Sequence, residues 1–240
     1  MRSTLTTILV FATVLFASQG HAQSEKGNSF LSLSGGPSFV SGNFVATTYA
    51  DPTAGFAKAM GLNVQLQGGY YLADHLALGM ALSSSVYNLT GLKNMADGYL
   101  NDFDVDSTTL TVTGKYRSWN ILVGPTYTLP IKKFAFDAHL LAGVTLLQVP
   151  EFRVDLEDNT DATFYQKAAT GAGFGLQAGI GVRYFVTEKI AIQLGADYLL
   201  AQPEVTISNE NRTNNAGRLL TSYKQSVGGV TARLGISFQL

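Results

Sequence analysis

The sequence predicts an all-β protein, an eight-stranded antiparallel up-and-down transmembrane β-barrel that follows a cleaved signal peptide. Three observations lead there. Over residues 176–200 apolar and polar positions alternate strictly, which puts successive side chains on opposite faces of a strand. Runs of this kind exceed the ~9–11 residues that a tilted strand needs to cross a bilayer. The connections between them alternate long and short along the whole chain, as in barrels with long external loops and short periplasmic turns. Charged residues make up 14% of the chain, against about 25% in ordinary soluble domains. A sheet in lipid has to close on itself, because an open edge leaves backbone polar groups unpaired.

Residues 1–22 read as a signal peptide and 23–240 as one barrel domain. Arg2 supplies the positive charge, residues 5–16 a short apolar core, and Gly20-His21-Ala22 a small-residue cleavage site. The chain has no cysteine, which excludes a disulfide framework and a lipid-modified N-terminal cysteine. A net charge of −1 gives no electrostatic basis for binding nucleic acid.

The first strand is expected over residues 30–40, with Leu31, Leu33 and Phe39 outward and Ser32, Ser34 and Ser38 inward. Pro37 within it predicts a bulge near the rim. The second spans 61–72, with Leu62, Val64, Leu66 and Tyr70 outward against Asn63, Gln65 and Gln67. After the turn at Asp74 the third spans 76–87. The fourth carries Trp119, Ile121, Val123 and Tyr127 outward and ends at Leu129-Pro130. Leu110 and Val112 upstream have the opposite parity, which calls for a bulge or an extension above the membrane. The fifth begins at Phe134 after Lys132-Lys133. The sixth and seventh form the hairpin over 176–200 about Glu188. The eighth runs from Val227 to the end, with Val230, Leu234, Ile236 and Phe238 outward.

The long connections are residues 41–60, 88–107, 149–170 and 201–226. Their length and polarity predict exposed, mobile external loops. Outward aromatics beside the short turns (Tyr70, Tyr127, Phe134, Phe136, Tyr184, Phe238) predict one interfacial girdle, and Phe39, Trp119 and Tyr198 the other. A secreted β-sandwich or lipocalin-like barrel is the soluble alternative, but such folds bury their apolar face inside and lack this loop asymmetry.

The inward residues that carry charge or long polar groups are Asp137, His139, Arg183, Gln193, Asp197 and Arg233, a candidate lumen network. Counting up from the short turns puts Asp137 level with Arg183 and Asp197 level with Arg233 on neighbouring strands, so two ion pairs are expected. An eight-stranded interior is just wide enough for side chains to fill, so a paired network would plug it. Four hydrated charges in a wet channel are the alternative.

Other motifs carry less. Asp102-Phe-Asp-Val-Asp106 begins like a calcium loop, but Ser107 and Thr113 stand where glycine and glutamate are needed. Phe103 and Val105 alternating with the aspartates suit a strand extension. Gly171-Ala-Gly-Phe-Gly175 lacks the last glycine of a dinucleotide fingerprint. No catalytic, cofactor or metal residues are assigned, since His139 has no paired nucleophile in the sequence.

Trp119-Asn-Ile-Leu-Val-Gly-Pro-Thr-Tyr-Thr-Leu-Pro130, Gly179-Ile-Gly-Val-Arg-Tyr184 and Leu234-Gly-Ile-Ser-Phe-Gln-Leu240 carry a family likeness. The chain resembles small outer-membrane β-barrels of Gram-negative bacteria, OmpA/OmpX-like in architecture, and is similar to porin-family barrels of Bacteroidetes type. The resemblance implies location in the bacterial outer membrane, contact with outer-membrane lipid and lipopolysaccharide, a monomeric state, and a last strand read by the outer-membrane assembly machinery. That signal often ends in an aromatic; here the last residue is Leu240, with Phe238 on the same face. The function expected is a non-enzymatic barrel with a structural or surface-interaction role. A narrow pore for water, ions or very small solutes is the second reading and a lipid-modifying enzyme the third.

Overall fold

The computed structural model describes residues 29–157, 163–211 and 219–240; the signal-peptide segment 1–22 lies outside them. In chain order the elements are β1 (Ser29–Ser41), β2 (Met60–Tyr71), β3 (Leu76–Tyr87), α1 (Leu92–Phe103), β4 (Ser107–Thr113), β5 (Tyr116–Ile131), β6 (Phe134–Val149), β7 (Glu151–Glu157), β8 (Thr163–Gln166), β9 (Ala169–Phe185), β10 (Ile190–Ala201), β11 (Glu204–Asn211), β12 (Leu219–Lys224) and β13 (Val227–Gln239). Eight of them, β1, β2, β3, β5, β6, β9, β10 and β13, pair in that circular order, all antiparallel, and β13 returns to β1.

The registers define the barrel's stagger. Leu31 pairs with Gly68, which leads through Met80, Val123, Ala142, Leu176, Leu200 and Gly228 to Ser41 on the starting strand. One circuit therefore climbs from Leu31 to Ser41, a shear of ten residues. With ordinary strand rise and spacing, that shear tilts eight strands by about 40° and leaves an interior the width of packed side chains.

The alternation sorts the wall. Leu62, Val123, Leu140, Ile180, Leu194 and Leu234 are exposed on the outside, while Gln65, Asn120, His139, Gln193 and Arg233 are buried inside. All nine aromatics of the two expected girdles are exposed on the outer surface. The rings of Phe134 and Tyr184 lie 5.1 Å apart beside the short turns.

The first strand has no bulge at Pro37. Its register with β2 runs unbroken through Pro37↔Leu62, and the register with β13 is the same before and after Gly36-Pro37, where the ladder is merely interrupted. Proline removes a donor but adds no residue. At Gly36 the strands approach so closely that a Cβ would collide with the Ala232 carbonyl.

The described parts of the long connections are folded. β4 pairs with β7, β7 with β8, β8 with β11 and β11 with β12, so strands of three connections form an external sheet. The first connection carries a short 3-10 turn, Gly42–Val45. It is tied to the second by Lys58 N donating to Asn88 O (2.7 Å) and Thr90 N to Phe56 O (2.8 Å). Leu110 and Val112 stand in the extension rather than in the membrane wall. They keep the inward parity of Tyr116 and pack on an apolar cluster at the barrel mouth. Residues 102–106 are not a strand either: α1 continues to Phe103, and Asp104 ends it in the left-handed region. Leu92, Met95, Tyr99 and Phe103 recur at three- and four-residue spacing, which is helical. That spacing was legible, but the aspartates masked it.

Candidate functional site

The inner face of β9 decides what fits in the lumen. Its inward positions are Gly171, Gly173, Gly175, Gln177, Gly179, Gly181 and Arg183, so one wall strand is nearly bare of side chains. Long polar groups from β6, β10 and β13 extend across that space.

Near the short turns, Asp137 and Arg183 face each other. Nε of Arg183 donates to Oδ2 of Asp137 (2.7 Å) and Nη2 to Oδ1 (2.8 Å), a two-pronged charge-assisted contact. Nη2 also donates to the Tyr71 hydroxyl (2.9 Å), and Thr128 Oγ1 donates to Asp137 Oδ1 (2.7 Å). The guanidinium carbon lies 4.3 Å from the centroid of Phe30, in cation–π range. Arg183 is 1% exposed, and its Nη1 finds no acceptor among the described residues. The two residues are not level, as counting from the turns suggests. Asp137 pairs with Gly181 and Arg183 with Ala135, so the contact is a diagonal one.

Higher in the lumen the second group is a triad rather than a pair. Arg233 Nε donates to Asp197 Oδ2, and His139 Nε2 donates to Asp197 Oδ1 (2.8 Å). Here too the ion pair is diagonal, since Asp197 pairs with Thr231 and Arg233 with Gly195. His139 shares a strand face with Asp137 but engages Asp197, two strands away. Gly179 lies between them, paired with His139 on one side and Asp197 on the other. A Cβ at Gly179 would collide with Asp197 Oδ1 and crowd His139 Nε2, so glycine is what lets this contact pass across the strand. Gln67 completes the group: its Oε1 accepts from Arg233 Nη1 (3.4 Å) and its Nε2 faces His139 Nδ1 (3.4 Å). Facing a carboxylate and an amide N–H, Nε2 is the donor and Nδ1 the acceptor. Gln193 is buried but its Oε1 has no partner, so that oxygen is not part of the network.

Above the triad the interior changes from charged to neutral polar. Asn63 Nδ2 donates to Ser85 (2.8 Å), Asn120 Nδ2 to Ser83 (3.0 Å) and Thr145 to Asn120 Oδ1 (2.7 Å). At the mouth it becomes apolar: Val40, Phe44, Tyr87, Tyr116, Leu147, Val149 and Val227 form one buried cluster. This cap was missed in the sequence, because Phe44, Phe152 and Val205 sit in connections read only as long and polar. Its signal was apolar residues at alternating positions, such as Phe152-Val154-Leu156. Burial in the external sheet raises the Tyr223 phenol to about 12, so it remains neutral.

The described residues contain no group of three or more acidic or histidine side chains placed to hold a metal ion. A family model described as an outer membrane protein β-barrel domain matches residues 7–233. No curated protein matches the chain in sequence. Among solved structures, the chain is similar to the attachment invasion locus protein Ail of Yersinia pestis, at 9% identity over 90% of this chain and 99% of that one, TM-score 0.45. It is also similar to a major outer membrane protein from Thermus thermophilus, at 10% identity over 88% and 99%, TM-score 0.49. The outer membrane protease OmpT from Escherichia coli matches at 9% identity over 93% and 100%, TM-score 0.47.

Proposed function

From the chain's membership of the outer membrane protein β-barrel family, which places it in the bacterial outer membrane, we propose that it is a non-enzymatic, monomeric barrel with a closed lumen, serving a structural or surface-interaction role. The observation that carries this reading is the pair of charge clusters, Asp137–Arg183 and His139–Asp197–Arg233, bonded across an interior only a side chain wide. Each buried charge has an opposite partner, so the network is stable as a plug and offers no free ion to a passing solute. The test is planar-bilayer conductance of the purified protein. No steady single-channel current is expected, and a sustained current from the parent protein would favour the narrow pore for water, ions or very small solutes.

The partners proposed are outer-membrane lipid and lipopolysaccharide, with the assembly machinery reading β13 during biogenesis. Lys115 and Arg117 support the first. Both are exposed; Arg117 lies in β5 two residues above Trp119 on the lipid-facing parity, and Lys115 immediately precedes the strand, where an anionic headgroup would sit; each such cation is worth about 1 kcal/mol near an anionic surface. Adding phosphorylated lipid A to the detergent-folded protein should raise its melting temperature. Lys115→Glu with Arg117→Glu should abolish the rise, and an undiminished rise would place the headgroup elsewhere.

A further inference from the structure

Between the triad and the apolar mouth lies a small polar cavity, with room for a water molecule or two. Its wall includes Asn63, Ser83, Ser85, Tyr87, Gln177 and Thr231. Two of these residues carry buried polar atoms without partners: Asn63 Oδ1, an acceptor, and Gln177 Nε2, a donor. Asn63 is 5% and Gln177 3% exposed. An unpaired amide group in such a place is costly unless something fills the gap, and a water has the donors and acceptors to serve both.

The cavity's floor includes Asp197, which belongs to the charged group below, and Gln65, whose Nε2 donates to Gln67 Oε1 (3.3 Å). Its roof includes Val40, Tyr87 and Val227, and above them sits Phe44, fully buried. Phe44 meets Tyr87 edge-on at 5.5 Å and Tyr116 at 5.0 Å. It does not come from the barrel wall. It is carried by the 3-10 turn of the first long connection, which folds as a small lobe. Gly55 N donates to Asn43 O (2.8 Å) and Ala57 N to Phe44 O (3.0 Å), and a Cβ at Gly55 would collide with the Phe44 carbonyl. The lobe is also tied to the segment leading into β13, the strand paired with β1, where Gln225 Nε2 donates to Thr53 O (3.3 Å).

We propose that the upper lumen is a closed chamber holding ordered water, with the charge triad as its floor and the loop-borne ring of Phe44 as its outer door. This rests on the closed-lumen reading and adds a second, independent closure to it. The two closures differ in kind. The floor is made of the triad's side chains, fixed on three wall strands, β6, β10 and β13. The door is one apolar ring carried by a connection outside the wall.

The absence of cysteine makes the test clean. Ser85→Cys places a thiol in the chamber, and Asn88→Cys, at an exposed position, is the accessible control. With full-length protein folded in detergent, a small methanethiosulfonate reagent should label Asn88→Cys rapidly and Ser85→Cys at least ten-fold more slowly. Adding Phe44→Ala should remove that protection. Labelling is read only on the heat-modifiable folded band. Tyr116→Ala, which removes the opposing ring from the wall, should act in the same direction if the lobe variant folds poorly. Ser85→Cys that stays protected in both variants would overturn the door while leaving the closed lumen intact. Rapid labelling with Phe44 in place would instead overturn the closed lumen itself. A crystal structure should show water bonded to Asn63 Oδ1 and Gln177 Nε2, and a dry cavity would overturn the chamber.

Discussion

Arg183→Ala is expected to destabilise the folded barrel by about 3–5 kcal/mol in urea unfolding from lipid vesicles, the usual cost of stranding one partner of a buried ion pair. The side chain is 1% exposed and makes both prongs of the contact to Asp137. It also donates to Tyr71 and lies over Phe30. Removing it leaves the Asp137 carboxylate in a narrow interior with Thr128 as its remaining donor. Asp137→Ala should cost a similar amount. The double replacement Asp137→Leu with Arg183→Met should recover most of the loss, because an apolar pair of similar volume needs no charge compensation. Losses below about 1 kcal/mol for both single variants would mean that water reaches the pair and that the lower lumen is wet.

Asp197→Ala should be equally severe, again about 3–5 kcal/mol, and its comparison with His139→Ala is the sharper test. Asp197 accepts from Arg233 on one oxygen and His139 on the other, so its loss strands a cation that is 3% exposed. His139→Ala removes the hydrogen bonds to Asp197 and Gln67 and leaves the Arg233 pair whole, a loss of about 1–3 kcal/mol. Equal losses from the two variants, measured by the same unfolding, would show that the imidazole and not the carboxylate organises the group.

What the sequence by itself determined is the wall. Period-two alternation in runs such as 176–200, punctuated by Asp74, Lys132 and Glu188, specifies which face meets lipid, because a slip of one residue would turn every Leu and Ile inward. The inward set followed from the same parity, so Asp137, His139, Arg183, Asp197 and Arg233 were legible as lumen residues. Their partners were decided by the tertiary structure. The ten-residue shear sets neighbouring strands in a stagger that counting from turns does not reproduce, so both ion pairs form along diagonals. The His139–Asp197 contact crosses an intervening strand, and depends on Gly179 having no side chain. The outer cap was decided in the same way. Phe44, Phe152 and Val205 come from three connections, and their common destination exists only once the barrel has closed and brought those connections to one mouth.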